Sequence, residues 1–510
     1  MIYFETIFVF FMAILIRGGY KFFYKHIDFD TYFHIFLIRY LRKVGRFNQD
    51  LVIKERLVLN GNFNYPSFAH IICSFFPEKF DALVINSINL VLDAVFSGVL
   101  FLLFLYLGCS EEMAVLGALV YVCSPAMYTT LMLGPRTIQF TPRLWGEILC
   151  MGVFISTYLY CIKSQLLFLI IAGVLAFFVY LTSKFSRQAL VFISLFVAAL
   201  SGKVIILLPV SLAFVIAMVV SKSCRISLVA QIQHLFFYCK ENLKRKMWVS
   251  DRGFGVSFFR CFKVKSFDEL AKLIFLKDPL VIVLLNFPVF FLALYFILEK
   301  ILFNQILTLP VFYVMGAALV YFITSIRYFL FLGESERYLI HVAFFIILIL
   351  LNSSLPAWVY YLVIIWGVLR LVVDYLAFLK TQNNKEKNEK NIINYLRKHK
   401  KTLNICGVPY LGWPVIVETQ HNTLYPILWE SAERAAFSEK YVFCYPEVRL
   451  NFLDEIAEKY SVDLFVITDK ALKNQNFEKI KIPKGFFLSK PFPNISLLER
   501  VDKKTATRES

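Results

Sequence analysis

Gln165-Leu166-Leu167-Phe168-Leu169-Ile170-Ile171-Ala172-Gly173-Val174-Leu175-Ala176-Phe177-Phe178-Val179-Tyr180-Leu181-Thr182 carries no charged residue. A helix needs about 20 apolar residues to cross a bilayer core, and this run supplies nearly that. It is continuous rather than alternating, which excludes a membrane barrel and leaves a helix that satisfies its own backbone. Similar runs recur through Lys380, near 2–17, 83–107, 111–133, 144–162, 165–182, 187–200, 203–221, 279–299, 303–325, 338–352 and 356–379. They predict an all-α polytopic membrane protein of about eleven spans. Ser201-Gly202-Lys203 interrupts the stretch 187–221. One helix through it would be about 50 Å long, so two short spans joined by a tight turn are predicted. Met1–Ile16 lacks a basic lead and a small-residue cleavage site, and reads as an uncleaved first span.

Composition agrees. The 510 residues are 59% hydrophobic, include 55 phenylalanines, and have a mean hydropathy of +0.65. Lys and Arg outnumber Asp and Glu by 54 to 36, a formal charge of +18. In a membrane protein that excess suits anionic headgroups or a site for a phosphorylated lipid. Ten cysteines show no CxxC pair and no metal-type spacing; Cys123, Cys150 and Cys161 sit in apolar runs and act as small hydrophobes. No GxGxxG or phosphate-loop glycine pattern occurs, so nucleotide binding has no support, and no nucleic-acid partner is expected.

Three regions stay outside the spans. The first, 18–82, contains Thr31–Val44, whose apolar residues recur at helical spacing and which ends in Arg39, Arg42 and Lys43: an interfacial amphipathic helix. The second, 222–278, is polar and basic. The third opens with a linker, 381–390, too polar for lipid, followed by a small soluble α/β domain at 391–510. In that domain Leu403–Val408, Tyr441–Cys444 and Asp463–Thr468 read as strands, and Pro426–Phe437 and Arg449–Tyr460 as amphipathic helices.

Just after the first span stands Asp28-Phe29-Asp30-Thr31-Tyr32-Phe33-His34. Carboxylates beside a bilayer are costly. Two acids at i, i+2 followed by a Tyr and a His can abstract a proton or hold a cation; equally, Asp30 or Thr31 can simply cap the next helix. With the amino terminus inside and eleven spans, the loops 134–143, 183–186 and 326–337 face the same side as this patch, and so does the tail. They bring Arg136 and Arg143, Lys184 and Arg187, then Arg327 and Gly333-Glu334-Ser335-Glu336-Arg337-Tyr338. Guanidinium matches phosphate in a bidentate way, although arginines at span ends also snorkel. Arg337 is the strongest of these, flanked by two acids and a phenol. The basic 222–278 loop argues the other way: by the positive-inside rule it belongs in the cytoplasm, which a ten-span count would satisfy at the expense of splitting the polar face.

In this arrangement the chain resembles the GT-C superfamily of integral membrane glycosyltransferases, which includes protein O-mannosyltransferases, lipid A aminoarabinose transferases and catalytic subunits of oligosaccharyltransferase. The Asp28–His34 stretch resembles the acidic motif of their first external loop, and Asn64-Tyr65-Pro66-Ser67-Phe68 resembles the Tyr-Pro element that often follows it. The resemblance covers residues 1–380 loosely, as a transmembrane catalytic domain. It implies a hexosyl or pentosyl transferase at the cell membrane. The donor would be a polyprenyl-phosphate sugar entering from the bilayer; the acceptor would be a glycan, lipid or protein on the non-cytoplasmic face. Asp28 would be the base or would orient the acceptor hydroxyl. Asp30 would be a partner acid, a divalent-cation ligand or the helix cap, and a divalent cation held by Asp28 and Asp30 is the one cofactor implied. His34, Tyr65, Arg136, Arg143, Lys184, Arg187, Arg327, Glu334, Glu336, Arg337 and Tyr338 would contact substrate. The tryptophan-rich signature of oligosaccharyltransferase is absent, which argues against protein N-glycosylation. A lipid-linked or anionic solute transporter, and a surface-polysaccharide polymerase or ligase, are the competing classes. Transporters, however, usually place their charges at the bilayer midplane on broken helices.

Overall fold

The computed structural model describes residues 2–19, 29–47, 52–53, 56–59, 61–62, 65–124, 140–243, 266, 278–407, 409–424, 432–444, 447–475 and 482–501. The chain forms two compact units. Unit 1 comprises Met1–Lys25, Tyr65–Arg245 and Val249–Leu379; unit 2 comprises His26–Asn64, Lys246–Trp248 and Lys380–Ser510. The boundary near residue 380 falls inside one helix, Ala357–Arg397. The polar stretch 381–390 is therefore helical, in keeping with its lysines and glutamates, which are good helix formers wherever they need not be buried.

The apolar runs become helices. From the amino terminus these are α1 (Ile2–Gly18), α2 (Phe29–Val44), α3 (Phe68–Ser74), α4 (Asp81–Tyr106), α5 (Glu111–Cys123), α6 (Pro142–Lys163), α7 (Leu166–Thr182), α8 (Lys184–Ser201), α9 (Leu207–Val220) and α10 (Lys222–Leu243). The break expected at Ser201–Lys203 is present: α8 ends at Ser201 and Gly202 turns the chain at φ +68°, a conformation glycine adopts without steric cost. Beyond α10 unit 1 continues through Pro279–Asn286, Pro288–Leu302, Leu309–Ser325, Glu336–Ile340, Ala343–Leu351 and the first part of Ala357–Arg397.

The count of eleven spans is not what these helices show. Among the described residues three are long and apolar enough to cross a membrane: Glu78–Tyr106, Pro142–Lys163 and Lys184–Ser201. Two bent pairs, Val204–Val220 with Lys222–Gln233 (111°) and Pro279–Asn286 with Pro288–Leu302 (99°), raise that to five if each is one span. Leu166–Thr182, Leu309–Ser325 and Ala357–Val373 are apolar but shorter. Two physical causes separate pattern from span. Pro288, at the start of its helix, cannot continue the hydrogen-bond ladder of the helix before it, so the run 279–299 breaks at Phe287. The run 338–352 is apolar because it is interior: Ala343–Leu351 is buried at all nine residues and packs on Leu309–Ser325, α5 and Pro288–Leu302.

Small residues let the helices of unit 1 approach closely. A Cβ on Gly146 of α6 would stand 2.4 Å from Ser186 Oγ, and one on Gly316 would stand 2.9 Å from Val197 Cγ2, so both helices close directly against α8. Between α1 and α4, Arg17 and Asp93 form a fully buried ion pair. Arg17 also donates to the carbonyls of Val122 (3.0 Å) and Tyr121 (2.6 Å), and the Tyr121 hydroxyl donates to Asp93 Oδ1 at 2.9 Å. A charge in an apolar interior persists when it is paired and hydrogen-bonded in this way.

Unit 2 is an α/β body. Its strands are β1 (Val52–Ile53), β2 (Gly61–Asn62), β3 (Asn404–Cys406), β4 (Asn422–Thr423), β5 (Val442–Cys444), β6 (Glu447–Val448), β7 (Leu464–Thr468), β8 (Phe486–Phe492) and β9 (Ile495–Arg500). The main sheet runs β4-β3-β7-β9-β8, parallel across β4, β3 and β7 and antiparallel beyond. Side chains alternate across it as the strand period requires. Leu464 and Val466 pack with Ile392, Leu396, Leu411 and Val415, while Phe465 and Ile467 pack with Phe437, Leu453 and Ile456 on the other face. β3 and β7 lie where strands were expected. β5 pairs with β6 in a hairpin of its own, and the β8–β9 hairpin went unread because Pro491 interrupts its pattern on an edge strand, where proline is tolerated.

Unit 2 also includes α2, which the sequence reading placed outside the spans as an interfacial helix of the 1–380 domain. Phe33 and Phe36 of α2 lie 4.9 and 5.3 Å from the ring of Trp413 in the helix Pro409–Glu418. The amphipathic pattern of α2 thus meets a protein partner.

Candidate functional site

The polar residues of unit 1 gather around the first turn of α8. Ser183 is its N-cap, with Oγ accepting the Ser186 N–H at 3.3 Å, and Gln231 of α10 donates to the Lys184 carbonyl at 2.7 Å. Arg187 is 3% exposed. Its Nε donates to the Tyr180 carbonyl (2.6 Å) and its Nη2 to Ser227 Oγ (2.8 Å), whereas Nη1 has no hydrogen-bond partner among the described residues. Burial of a guanidinium with one edge unmet is costly and leaves a donor for an anion.

Opposite α8 lies the segment that follows Leu309–Ser325. Arg327 opens the 3₁₀ turn Arg327–Leu332, and Gly333 follows at φ +109°, a region open essentially to glycine. The chain then delivers Glu334, whose carboxylate holds Arg337 by a two-pronged pair at 2.9 and 2.9 Å. Ser325 donates to Ser335 at 2.8 Å, and Ser335 to Glu336 at 3.3 Å. The Tyr338 hydroxyl donates to the Leu332 carbonyl at 3.1 Å and lies 3.5 Å from Gln188 Oε1 of α8. His341 joins the two walls. Its Nδ1 stands 3.0 Å from the Arg337 carbonyl, which can only accept, so Nδ1 carries the proton. Nε2 then accepts from Ser186 Oγ at 3.3 Å.

A third wall is aromatic. The Lys184 ammonium is 5.7 Å from the centre of the Tyr65 ring. Tyr65 meets His70 edge-on at 5.5 Å, and His70 meets Phe140 at 5.9 Å. Phe68 touches Trp145 (6.3 Å) and Phe178 (4.6 Å). Trp145 Nε1 donates to Asn89 Oδ1 at 2.9 Å, and Asn89 donates to the Thr141 carbonyl at 3.1 Å, which pins α6 to α4. Burial pulls the His70 imidazolium pKa down to about 3, against a smaller upward effect of its hydrogen bond to the Pro66 carbonyl. His70 is therefore a neutral ring at physiological pH.

Of the residues singled out from sequence, Tyr65, Lys184, Arg187, Glu334, Glu336, Arg337 and Tyr338 come together here, linked through α8. Arg143 is the second residue of α6, one turn before Gly146, and its N–H bonds to Thr141 Oγ1 at 3.3 Å. Asp28 and Arg136 lie outside the described residues. Asp30 is placed by its backbone as the second residue of α2, and His34 is buried on the same helix at 4% exposure; both belong to unit 2. Among the described residues no three His, Cys, Asp or Glu side chains are grouped as a metal site. Sequence reading missed His341, Ser186, Gln188, Trp145, Asn89, His70 and the fully buried Glu147. His341 had a usable signal, since it follows Arg337 by one helical turn.

Solved structures share this architecture. The Archaeoglobus fulgidus oligosaccharyltransferase, tethered with an acceptor peptide containing the NVT sequon, is 12% identical; the match covers 99% of this chain and 74% of that one at a TM-score of 0.57. The fold is the GT-C fold. The same enzyme in the apo form is 12% identical over 98% of this chain and 74% of that one, TM-score 0.53. The oligosaccharyltransferase AglB from Archaeoglobus fulgidus, in complex with an inhibitory peptide and a dolichol-phosphate, is 13% identical over 97% of this chain and 74% of that one, TM-score 0.54. At such identities the GT-C likeness is one of fold. No family model matches the chain, and no curated protein matches it.

Proposed function

We propose that this chain is an inverting GT-C glycosyltransferase that moves a sugar from a polyprenyl-phosphate or -diphosphate carrier to a glycan, lipid or protein acceptor on the non-cytoplasmic side of the cell membrane. One observation supports the reading: on a GT-C fold, Lys184 and Arg187 stand in the first turn of α8 with the Tyr65 ring beside Lys184, and His341 ties that turn, through Ser186, to the segment that holds the Glu334–Arg337 pair. Cations beside aromatic rings suit a sugar phosphate, because the rings pack on the apolar face of the sugar while the cations meet the charge.

In the reaction, an acceptor hydroxyl oxygen bonds to the anomeric carbon as the bond from that carbon to the phosphate oxygen breaks. The acceptor proton passes to a carboxylate, for which Asp28 and Asp30 are the candidates. The carrier phosphate leaves with the bonding electron pair, and the cations stabilise it as its charge develops. Arg187, with one edge unmet, and Arg337, held in place by Glu334, suit that task.

The test is transfer measured in membranes with a polyprenyl-phosphate sugar, following release of free carrier phosphate. Asp28→Asn is expected to reduce turnover by about a hundredfold or more, the usual scale for loss of general-base catalysis. Turnover kept within a few-fold would remove the base assignment. A carrier that crosses the membrane chemically unchanged would point to a transporter. For the membrane side, a reporter active only in an oxidising compartment, fused after Ser510, should be active; a cytoplasmic signal would put the tail on the other face.

A further inference from the structure

Arg187 takes its geometry from α10. The chain leaves α9 at Ser221, whose Oγ accepts the Cys224 N–H at 3.1 Å as the cap of the next helix, and bends there by 111°. Arg225 fixes the bend. Its Nη1 donates to the carbonyls of Met218 (2.5 Å) and Val219 (3.0 Å) in the last turn of α9, where unmet carbonyls and the helix dipole favour a cation. So directed, α10 packs on α8 and on the turn Arg327–Leu332. Its buried residues are small or polar: Ser223, Cys224, Ser227, Ala230 and Gln231. Cys224, Ser227 and Gln231 follow one another at helical spacing and so share a face.

Two of these side chains meet the first turn of α8. Gln231 donates to the Lys184 carbonyl at 2.7 Å, which seats α10 on that turn. Ser227 Oγ accepts from Arg187 Nη2 at 2.8 Å and donates its own proton to the Cys224 carbonyl at 3.0 Å. With the hydroxyl proton committed to Cys224, a lone pair is left for the guanidinium, which can only donate. Cys224 Sγ adds a weak contact with the same Nη2 at 3.8 Å. From Nε the guanidinium donates to the Tyr180 carbonyl at 2.6 Å. A guanidinium is a rigid plane, so bonds at Nε and Nη2 together fix the direction of Nη1, the nitrogen with no hydrogen-bond partner among the described residues. Without Ser227 the plane would pivot on the single bond to Tyr180 and carry a second unmet buried donor.

We propose that Ser227 is a positioning residue for the carrier phosphate: through Arg187 it directs the open Nη1 edge, so that α10 sets the affinity of the site for its anion. This rests on the reading of Arg187 as a group that meets that phosphate. Ser227 acts at one remove from the ligand, so its effect exists only while Arg187 is present.

The experiment uses the full-length protein in nanodiscs and measures equilibrium binding of polyprenyl phosphate, the carrier without its sugar, together with the melting temperature. It compares Ser227→Ala, Ser227→Thr, Ser227→Cys, Arg187→Met, the double variant Ser227→Ala/Arg187→Met, and Val197→Ala. Ser227→Ala should weaken binding by about tenfold, the usual scale for a hydrogen bond to a charged group. Ser227→Thr keeps the hydroxyl and should bind close to wild type. Ser227→Cys, nearly the same shape with a weaker acceptor, should fall between the two, and it replaces the alanine variant should that one fail to fold. Arg187→Met should weaken binding at least as much as Ser227→Ala. Adding Ser227→Ala to Arg187→Met should then change nothing further, the non-additivity of residues that act through one contact. Val197→Ala, further along α8 where Val197 packs on Gly316, should lower the melting temperature and leave binding unchanged. Additive losses in the double variant, or an equal loss in Val197→Ala, overturn the proposal. If Arg187→Met weakens binding and Ser227→Ala does not, the positioning role fails and the reading of Arg187 stands. If Arg187→Met binds as wild type does, that reading fails and takes the positioning role with it.

Discussion

At the residue scale, the pairing of Glu334 with Arg337 separates a charge from a geometry. A bidentate guanidinium–carboxylate pair fixes the plane of the guanidinium as well as its place. Arg337→Lys keeps the charge and loses the fork, so transfer should fall by about tenfold in kcat/KM, while a lysine that turns over like wild type would show that charge alone suffices. His70 gives a prediction in pH. Its folded pKa of about 3 lies below the ordinary value of about 6.5. Between those values the unfolded chain binds the extra proton, so stability is complete above about pH 6.5 and falls as pH drops toward 3, by a few kcal/mol in total. His421 in unit 2 adds to the same slope. Burial lowers its pKa, and its Nδ1 accepts the Leu403 N–H at 3.1 Å while Nε2 faces the Leu396 carbonyl at 2.8 Å, an arrangement that requires the neutral ring. In melting scans from pH 8 to 4, His70→Phe should flatten the decline relative to wild type. Parallel curves would mean that His70 is not held neutral by the fold.

At the element scale, the crossing of α6 on α8 decides the site, because α6 carries Trp145 and Glu147 while α8 carries Lys184, Ser186, Arg187 and Gln188. Gly146 allows it. With a Cβ at 2.4 Å from Ser186 Oγ and 2.6 Å from Ser183 Cβ, Gly146→Ala must push the helices apart or displace the serines. Overpacking of this kind costs about 1–3 kcal/mol. The variant should melt earlier in detergent and lose transfer activity beyond what its stability explains, since Ser186 also bonds His341. Unchanged activity with a lowered melting temperature would detach the crossing from the chemistry. The same scale shows why apolar runs overcounted spans. An apolar run reports that a helix avoids water, and both lipid and protein interior satisfy that. Ala343–Leu351 is surrounded by protein, with Phe345 stacked on Tyr313 at 4.3 Å and Phe344 on Phe104 at 5.2 Å.

At the scale of the whole molecule, the carboxyl-terminal domain is incomplete in sequence terms. The residues that cover Trp413, extend the sheet edge beside β4 and contribute Leu59 to the core come from the first loop. Residues 391–510 expressed alone should therefore expose Trp413 and show red-shifted fluorescence with a broad thermal transition. Joining residues 26–64 through a flexible linker should move the emission to the blue and sharpen the transition. Equal spectra for the two proteins would show that the domain closes without the loop.

The sequence by itself determined that the chain is helical and apolar through residue 380 and α/β afterwards, because both follow from side-chain period and turn residues, which are local. It also marked Lys184, Arg187, Glu334, Arg337 and Tyr338, since charges beside apolar runs are costly and stand out. Tertiary structure alone decided which apolar runs face protein, that His341 and Ser186 join two walls of the site, and that α2 belongs with the carboxyl-terminal unit. Those are contacts between residues from different elements, separated by about thirty to several hundred positions, and an amphipathic face shows only that it will be covered. What covers α2 is Trp413, and that pairing exists only once the chain has folded.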